Sequence, residues 1–257
     1  MIEFFVLIFG LIFGSFLNVL IYRLPLGISL LNPKRSFCTS CKVQIKWYEN
    51  IPLLSYIFLR AKCPNCSVKI SIVYPVVEII TSILTLLLYL KFGLDNNFYI
   101  SLILVYTLIV LSFIDFEYKA VPDYLLLIAL LTSFFIIDFS FQNTMLFAGG
   151  FVLLDFFITY YIQNIKAMIT KNDDLLNQTA LGEGDIPIVA IIGGILGVKL
   201  GLIAIFLASI YAILPSIYNM IKKSDIETPF IPFLVLGFLS CYFYSENILN
   251  ILEGIIQ

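Results

Sequence analysis

Apolar residues in this 257-residue chain run in long unbroken stretches, and that pattern restricts the fold more than any motif does. In lipid every backbone N–H and C=O must find a partner within the protein, which leaves α-helices and closed β-barrels. Barrel strands alternate apolar and polar residues. Here the stretches are continuous over 2–22, 73–91, 98–114, 124–140, 145–163, 186–198, 200–221 and 229–246. The expected fold is an all-α polytopic membrane protein with about eight transmembrane helices. The sixth stretch is short, so it is tilted or fused with the seventh. Its Gly193, Gly197 and Gly201 match the small-xxx-small spacing that lets helix backbones approach, or else they mark a turn around Gly201. The first stretch lacks a basic lead and a small-residue cleavage site, and reads as a retained helix.

Alternating eight spans puts loops 23–72, 115–123, 164–185 and 222–228 on one side. Thirteen of the 15 Lys and Arg fall there, including Lys34, Lys171, Lys222 and Lys223; only Lys91 and Lys199 fall opposite. Cytoplasmic loops collect basic residues, so that side is expected to be cytoplasmic and both termini external. Two regions follow: 1–92, with a large cytoplasmic loop between helices 1 and 2, and 93–257, a six-span bundle with short loops. No internal repeat is evident. A net charge of −2 implies no general attraction to nucleic acid.

The chain has no histidine. Ser-His-Asp and Cys-His nucleophiles and HExxH zinc sites are thereby excluded, and acid–base chemistry must rest on Asp, Glu, Lys, Tyr or Cys. Four of the five cysteines lie in the large loop as Cys38-x2-Cys41 and Cys63-x2-Cys66. Two such pairs match four-thiolate zinc ligation, and the reducing cytosol favours metal over disulfides. Four thiolates leave no open position, so the zinc is structural, a cytoplasmic zinc knuckle. A redox CxxC would need a thioredoxin-like strand and helix, which the flanking sequence lacks. Cys241 reads as packing.

The acids are the chemical question. Asp115 ends one apolar stretch in "FIDFEYKAVPD", and Asp185 stands before another in "LGEGDIP". The orientation above puts both at the cytoplasmic membrane edge. Two neighbouring carboxylates cannot both ionise and share a proton. One then draws a proton from water while the other polarises a scissile carbonyl. Gly182 and Gly184 admit a substrate backbone, and Pro187 suits a first helical turn. The residues alone equally allow Asp185 as an N-cap and Asp115 as a helix-end charge in headgroup water. Asp155, within "GGFVLLDFFITYY", reads as a hydrogen-bonded structural acid in mid-bilayer. Glu78 is a candidate partner for Arg23, or a substrate or cofactor contact. Asn18 and Tyr22 share a helix face toward the cysteine loop or another helix. Glu183 and Asp123 read as solvated interface acids.

These residues together resemble a known family. G-x-G-D at a helix start, with an aspartate closing an earlier span, is similar to the GxGD membrane aspartic proteases. The whole chain resembles their prepilin peptidase branch. The likeness lies in "GSFLNVLIYRLP" (14–25), the four-cysteine loop through "WYENIPLLSYIFLRAKCPNC" (47–66), "YPVVEII" (74–80), "IDFEYKAVPD" (114–123) and "LGEGDIP" (181–187). The resemblance implies a bacterial inner-membrane enzyme with Asp115 and Asp185 as its catalytic pair. Its substrates would be type 4 prepilins and pseudopilins of pilus and type II secretion systems, each with a basic leader and a hydrophobic helix lying in the bilayer. It implies cleavage after a glycine at the cytoplasmic face, then methylation of the new N-terminus from S-adenosylmethionine. The family's lysine after the GxGD is absent, since Pro187 follows Ile186. Rival readings are a proton- or cation-coupled transporter using Asp155, Asp115 and Asp185, a Ser–Lys protease, and a non-catalytic zinc-holding scaffold for pilus or secretion assembly.

Overall fold

Continuous apolar stretches fold as helices because only then does each segment pair its own backbone. The computed structural model is accordingly helical, with no strand among its described residues beyond two isolated β-bridges. The description covers all residues except Lys34, 171–174, 177–180, 223–227 and Gln257. Of the basic residues that set the expected orientation, Lys34, Lys171 and Lys223 lie outside the described residues. The chain divides into two units, Met1–Pro122 and Asp123–Gln257.

The first unit holds α1 (Ile2–Arg23), a 3-10 turn (Trp47–Asn50), α2 (Leu54–Phe58), α3 (Val73–Phe92) and α4 (Asn96–Tyr118). Gly10 and Gly14 let α1 lie directly on α3. A Cβ on Gly10 would sit 2.6 Å from the Cα of Ser82, and one on Gly14 2.7 Å from the Cα of Glu78. The close approach brings polar groups within reach. The Ser82 hydroxyl donates to the Leu7 carbonyl at 2.8 Å, and the Asn18 amide donates to the Tyr74 carbonyl at 3.0 Å. Leu17, Ile21, Val77, Leu88, Leu104, Leu108 and Ile114 fill the interior. Gly14→Val is therefore expected to cost about 1–3 kcal/mol or more, since the obstacle is backbone. Gly149→Val meets nothing within 4 Å and serves as the control. Equal melting temperatures in detergent for the two variants would contradict this packing.

The second unit holds α5 (Asp123–Ser133) and α6 (Phe141–Tyr160), which runs through a π-turn (Tyr161–Lys166) into α7 (Ala167–Thr170). It continues with α8 (Asp185–Lys222), α9 (Ile231–Phe243) and α10 (Ser245–Ile256). Inside α8, Gly197 has φ 72° and ψ −175°, a conformation open to glycine alone. In an unbroken helix, residues eight apart lie about 12 Å apart. Here a Cβ on Gly201 would be 3.6 Å from the Cα of Gly193. The chain thus reverses at Gly197 and makes a hairpin of two arms, 185–196 and 198–222. Gly193 and Gly201 face each other across it, both under the ring of Phe147. The close approach expected of these glycines is observed, and the turn falls at Gly197 rather than Gly201. Gly237 seats α9 against the Ala204 carbonyl on the second arm.

Among the described residues, five helices are long and apolar enough to cross a membrane: Ile2–Arg23, Val73–Phe92, Asn96–Tyr118, Phe141–Thr170 and Asp185–Tyr218. α5 and α9 are shorter. α5 stops well short of the apolar stretch 124–140 for a local reason. The Thr132 and Ser133 hydroxyls donate to the carbonyls of Ile128 and Leu130 and compete with the helix ladder. Asp138 then turns the chain at φ 61°, and the Ser140 hydroxyl accepts the Asn143 N–H to start α6.

Candidate metal centre and candidate catalytic carboxylates

The four cysteines come together through two copies of one turn. The Cys38 N–H donates to the Val43 carbonyl, the Lys42 N–H to the Cys38 carbonyl, and the Ile45 N–H to the Ser36 carbonyl, each at 2.9 Å. Twenty-five residues on, Cys63 to Val68, Ser67 to Cys63 and Ile70 to Ala61 repeat the pattern at 2.9, 2.9 and 2.8 Å. Lys42 and Ser67 both take positive φ, and the bridges Phe37–Gln44 and Lys62–Lys69 close the two turns alike. So the chain does contain an internal repeat, against the expectation from sequence. Its signal is C-x2-C-x-V-x-I, read from Cys38 and again from Cys63.

The sulfurs of Cys38 and Cys66 are 3.8 Å apart, those of Cys41 and Cys63 4.0 Å, and all four lie within 4.8 Å of one another. A tetrahedral ion with metal–sulfur bonds of about 2.3 Å separates its sulfurs by about 3.8 Å, whereas a disulfide needs about 2 Å. All four cysteines are free. The donor set therefore fits a tetrahedral thiophilic ion. Hydrogen bonds from the Val43 N–H and the Asn65 amide, the latter at 3.5 Å, bring the Cys41 thiol down to about 6. The N–H groups of Cys66 and Asn65 lower Cys63 in the same way. At Cys66 the Val68 N–H also favours the thiolate, but burial and the three neighbouring sulfurs outweigh it and push the thiol up to about 11.

Arg23 ties this loop to the membrane helices, a role sequence reasoning missed. Its guanidinium, 3% exposed, donates to the carbonyls of Ser29, Leu30, Pro33 and Arg35 and lies 5.5 Å from the centre of the Phe37 ring. Main-chain acceptors leave no pattern in a sequence. Glu78 does not pair with Arg23; it accepts the Leu53 N–H at 2.8 Å and a hydrogen bond from Ser15. Asn18 bonds α3, while Tyr22 packs edge-on against Phe37 beside Cys38. Each of the two readings of that helix face holds for one residue.

Asp115 belongs to the first unit and Asp185 to the second. Asp115 is 8% exposed and lies in the last turn of α4. Its carbonyl accepts the N–H of Lys119, which ends the helix in the left-handed conformation. Asp185, 6% exposed, is the first residue of α8. Its carboxylate accepts the Gly182 N–H at 3.2 Å, and its own N–H returns to the Gly182 carbonyl at 3.0 Å. Pro187 falls in the first turn, as expected. Glu183 and Asp123 are exposed.

Asp155 is hydrogen-bonded, as expected of a structural acid. It accepts the Leu181 N–H at 3.0 Å and the Thr159 hydroxyl at 3.3 Å, so it lies level with the loop that carries Asp185.

The fold and these sites define a class: a multi-pass helical membrane protein with a four-cysteine knuckle and buried aspartates at two helix ends. The comparisons identify it further. Residues 8–92 match the bacterial peptidase A24 N-terminal domain, and residues 102–217 the type IV leader peptidase family. The chain is 32% identical to the prepilin leader peptidase/N-methyltransferase of Legionella pneumophila, over 95% of this chain and 91% of the relative. It is 32% identical to that of Vibrio cholerae, over 92% and 94%. With that of Bacillus subtilis it shares 28%, over 95% and 94%. This chain belongs to the prepilin leader peptidase/N-methyltransferase family. No solved structure matches it significantly.

Proposed function

We propose that this protein is a membrane aspartic endopeptidase that removes the short basic leader of type 4 prepilins and pseudopilins. It then methylates the new N-terminus from S-adenosylmethionine. The observation that carries the proposal is the in-order match of both family models along one chain, with the buried aspartates Asp115 and Asp185 inside the second. Neither the transporter nor the scaffold reading draws support from these matches.

In this proposal Asp115 and Asp185 act as a pair on one peptide bond. The N-terminal end of a helix favours negative charge and the C-terminal end opposes it. Asp185, at the start of α8 with the Gly182 N–H on its carboxylate, is assigned as the base that takes a proton from water. Asp115, at the end of α4, is assigned as the acid that donates to the carbonyl oxygen. The tetrahedral intermediate expels the mature chain's amine, which takes the proton now on Asp185, while Asp115 recovers its proton from the hydroxyl as the carbonyl reforms. This needs neither histidine nor metal. Zinc at Cys38, Cys41, Cys63 and Cys66 holds the loop. S-adenosylmethionine supplies an electrophilic methyl group when bound.

The 1–92 region is assigned to methyl transfer and 93–257 to the peptidase bundle. Counting both hairpin arms and the two shorter helices gives eight crossings, with the bond cut at the cytoplasmic face of the inner membrane. Asp155 is assigned to holding the Leu181–Asp185 loop. Asp155→Leu is then expected to lower cleavage about 100-fold, the scale on which ångström misplacement acts. Asp155→Asn keeps an acceptor for the Leu181 N–H and retains most of the rate. Equal rates for Asp155→Leu and wild type would refute the assignment.

The test is reconstitution of the purified chain in vesicles with a full-length prepilin and methyl-labelled donor. The proposal expects a shortened pilin labelled at its new N-terminus. An uncut substrate would overturn the peptidase assignment, and a cut, unlabelled one the methyl-transfer assignment.

A further inference from the structure

We infer that the cavity inside the Met1–Pro122 unit is the binding site for the methyl donor, an adenosine-bearing sulfonium. The inference rests on the methyl-transfer half of the proposed function. The cavity encloses about 410 Å³ between the end of α1, the two cysteine turns, the start of α3 and the end of α4. Sites for small molecules commonly span about 300–1,000 Å³.

Its chemistry selects a cation with an aromatic part. Tyr22, Tyr74 and Tyr118 contribute rings, and Asn18, Glu78 and Glu117 contribute polar groups. Glu78 is 7% exposed, an acid kept away from water beside the cavity and already anchored by the Leu53 N–H. A buried carboxylate and aromatic faces both favour positive charge. Three acids, Glu49, Glu78 and Glu117, line the cavity against two cations, of which Arg23 has its N–H groups directed at four carbonyls and Lys69 stands exposed at the rim. A sulfonium with an adenine to stack, ribose hydroxyls for a carboxylate and an amino-acid carboxylate for Lys69 meets each of these groups.

The location also suits the reaction. Glu117 and Tyr118 follow Asp115 by two and three residues on α4, so the helix end assigned to peptide cleavage also walls the cavity. The deprotonated amine of the cut chain attacks the methyl carbon. The C–S bond breaks with its electron pair remaining on sulfur, a neutral thioether is left, and the methylated ammonium gives its extra proton to water. The cysteine turns form one wall, so metal loss should open the site.

The test uses the purified full-length, metal-loaded protein in detergent, photolabelled by ultraviolet light with tritiated S-adenosylmethionine. Equilibrium dialysis measures binding of the same compound. Label is expected on peptides spanning 15–23, 36–78 or 117–118. Saturable binding with label confined to 123–257 would overturn the inference alone. Absence of saturable binding would overturn it together with the methyl-transfer reading. Glu78→Gln keeps an acceptor for Leu53 but loses the charge and should weaken binding about tenfold or more. Val19→Trp, from the α1 wall, should fill the cavity and abolish binding. Both variants should retain metal and leader cleavage. Wild-type affinity in both would contradict the site, and photolabelling of the wild type decides if either variant misfolds.

Discussion

Asp185→Asn and Asp115→Asn are each expected to lower prepilin cleavage by about 10³–10⁴-fold, with metal content and membrane insertion unchanged. The substitution separates chemistry from architecture. Asparagine has nearly the shape of aspartate, and its carbonyl oxygen can still accept the Gly182 N–H that now meets Asp185. It is also as good an N-cap as aspartate. A residue that merely caps α8 would therefore pass its role to asparagine with little loss. A base that must take a proton from water cannot. The same holds for Asp115, which is only 8% exposed and whose place an amide of the same shape can fill. Cleavage assayed in membranes against protein level measures both effects, and a near-wild-type rate in either variant would return that acid to a structural role.

Metal removal is the second large effect. Structural four-thiolate sites contribute on the order of 10 kcal/mol to the folding of small domains. The loop between α1 and α3 has short helices and few buried apolar side chains to replace that. Chelation, or Cys38→Ser with Cys63→Ser, should expose the segment from Ser36 to Ile70 to protease and rapid hydrogen exchange. Methyl transfer should be lost, while the peptide-bond chemistry itself loses no participant. Metal uptake should also depend on pH in a defined direction. With its thiol at about 11, Cys66 is protonated at neutral pH and must release that proton to bind. Cys41, at about 6, is a thiolate above that pH and a competitor for the metal below it. Apparent affinity should fall as pH falls, and more steeply below 6, where the Cys41 proton also competes. A pH-independent affinity between 5 and 8, corrected for the chelator, would contradict the thiol assignments.

The helical class, the cysteine pairs and the helix-end positions of Asp115 and Asp185 were legible in the sequence because each depends on local spacing. What was not legible depends on the chain meeting itself. Gly10 and Gly14 carry the same small-xxx-small signal as Gly193, Gly197 and Gly201, but only the structure pairs them with Ser82 and Glu78 on α3. Hydropathy fuses α5 with the turn after it, because Phe134 to Ile137 are apolar whether or not their backbone is helical. It also leaves the partner of Asp155 open, since the flanking phenylalanines say nothing of the Leu181 N–H that the carboxylate accepts. Arg23 shows the limit most clearly, because four main-chain carbonyls are its partners and their identity is indifferent to side chain.

The central claim is that Asp115 and Asp185 form one catalytic unit, and the rate of the double variant Asp115→Asn/Asp185→Asn tests it most directly. Groups that share a step do not add, so the double variant should cleave no more slowly than the slower single one. Losses that multiply would contradict the account, because they would show two acids acting independently.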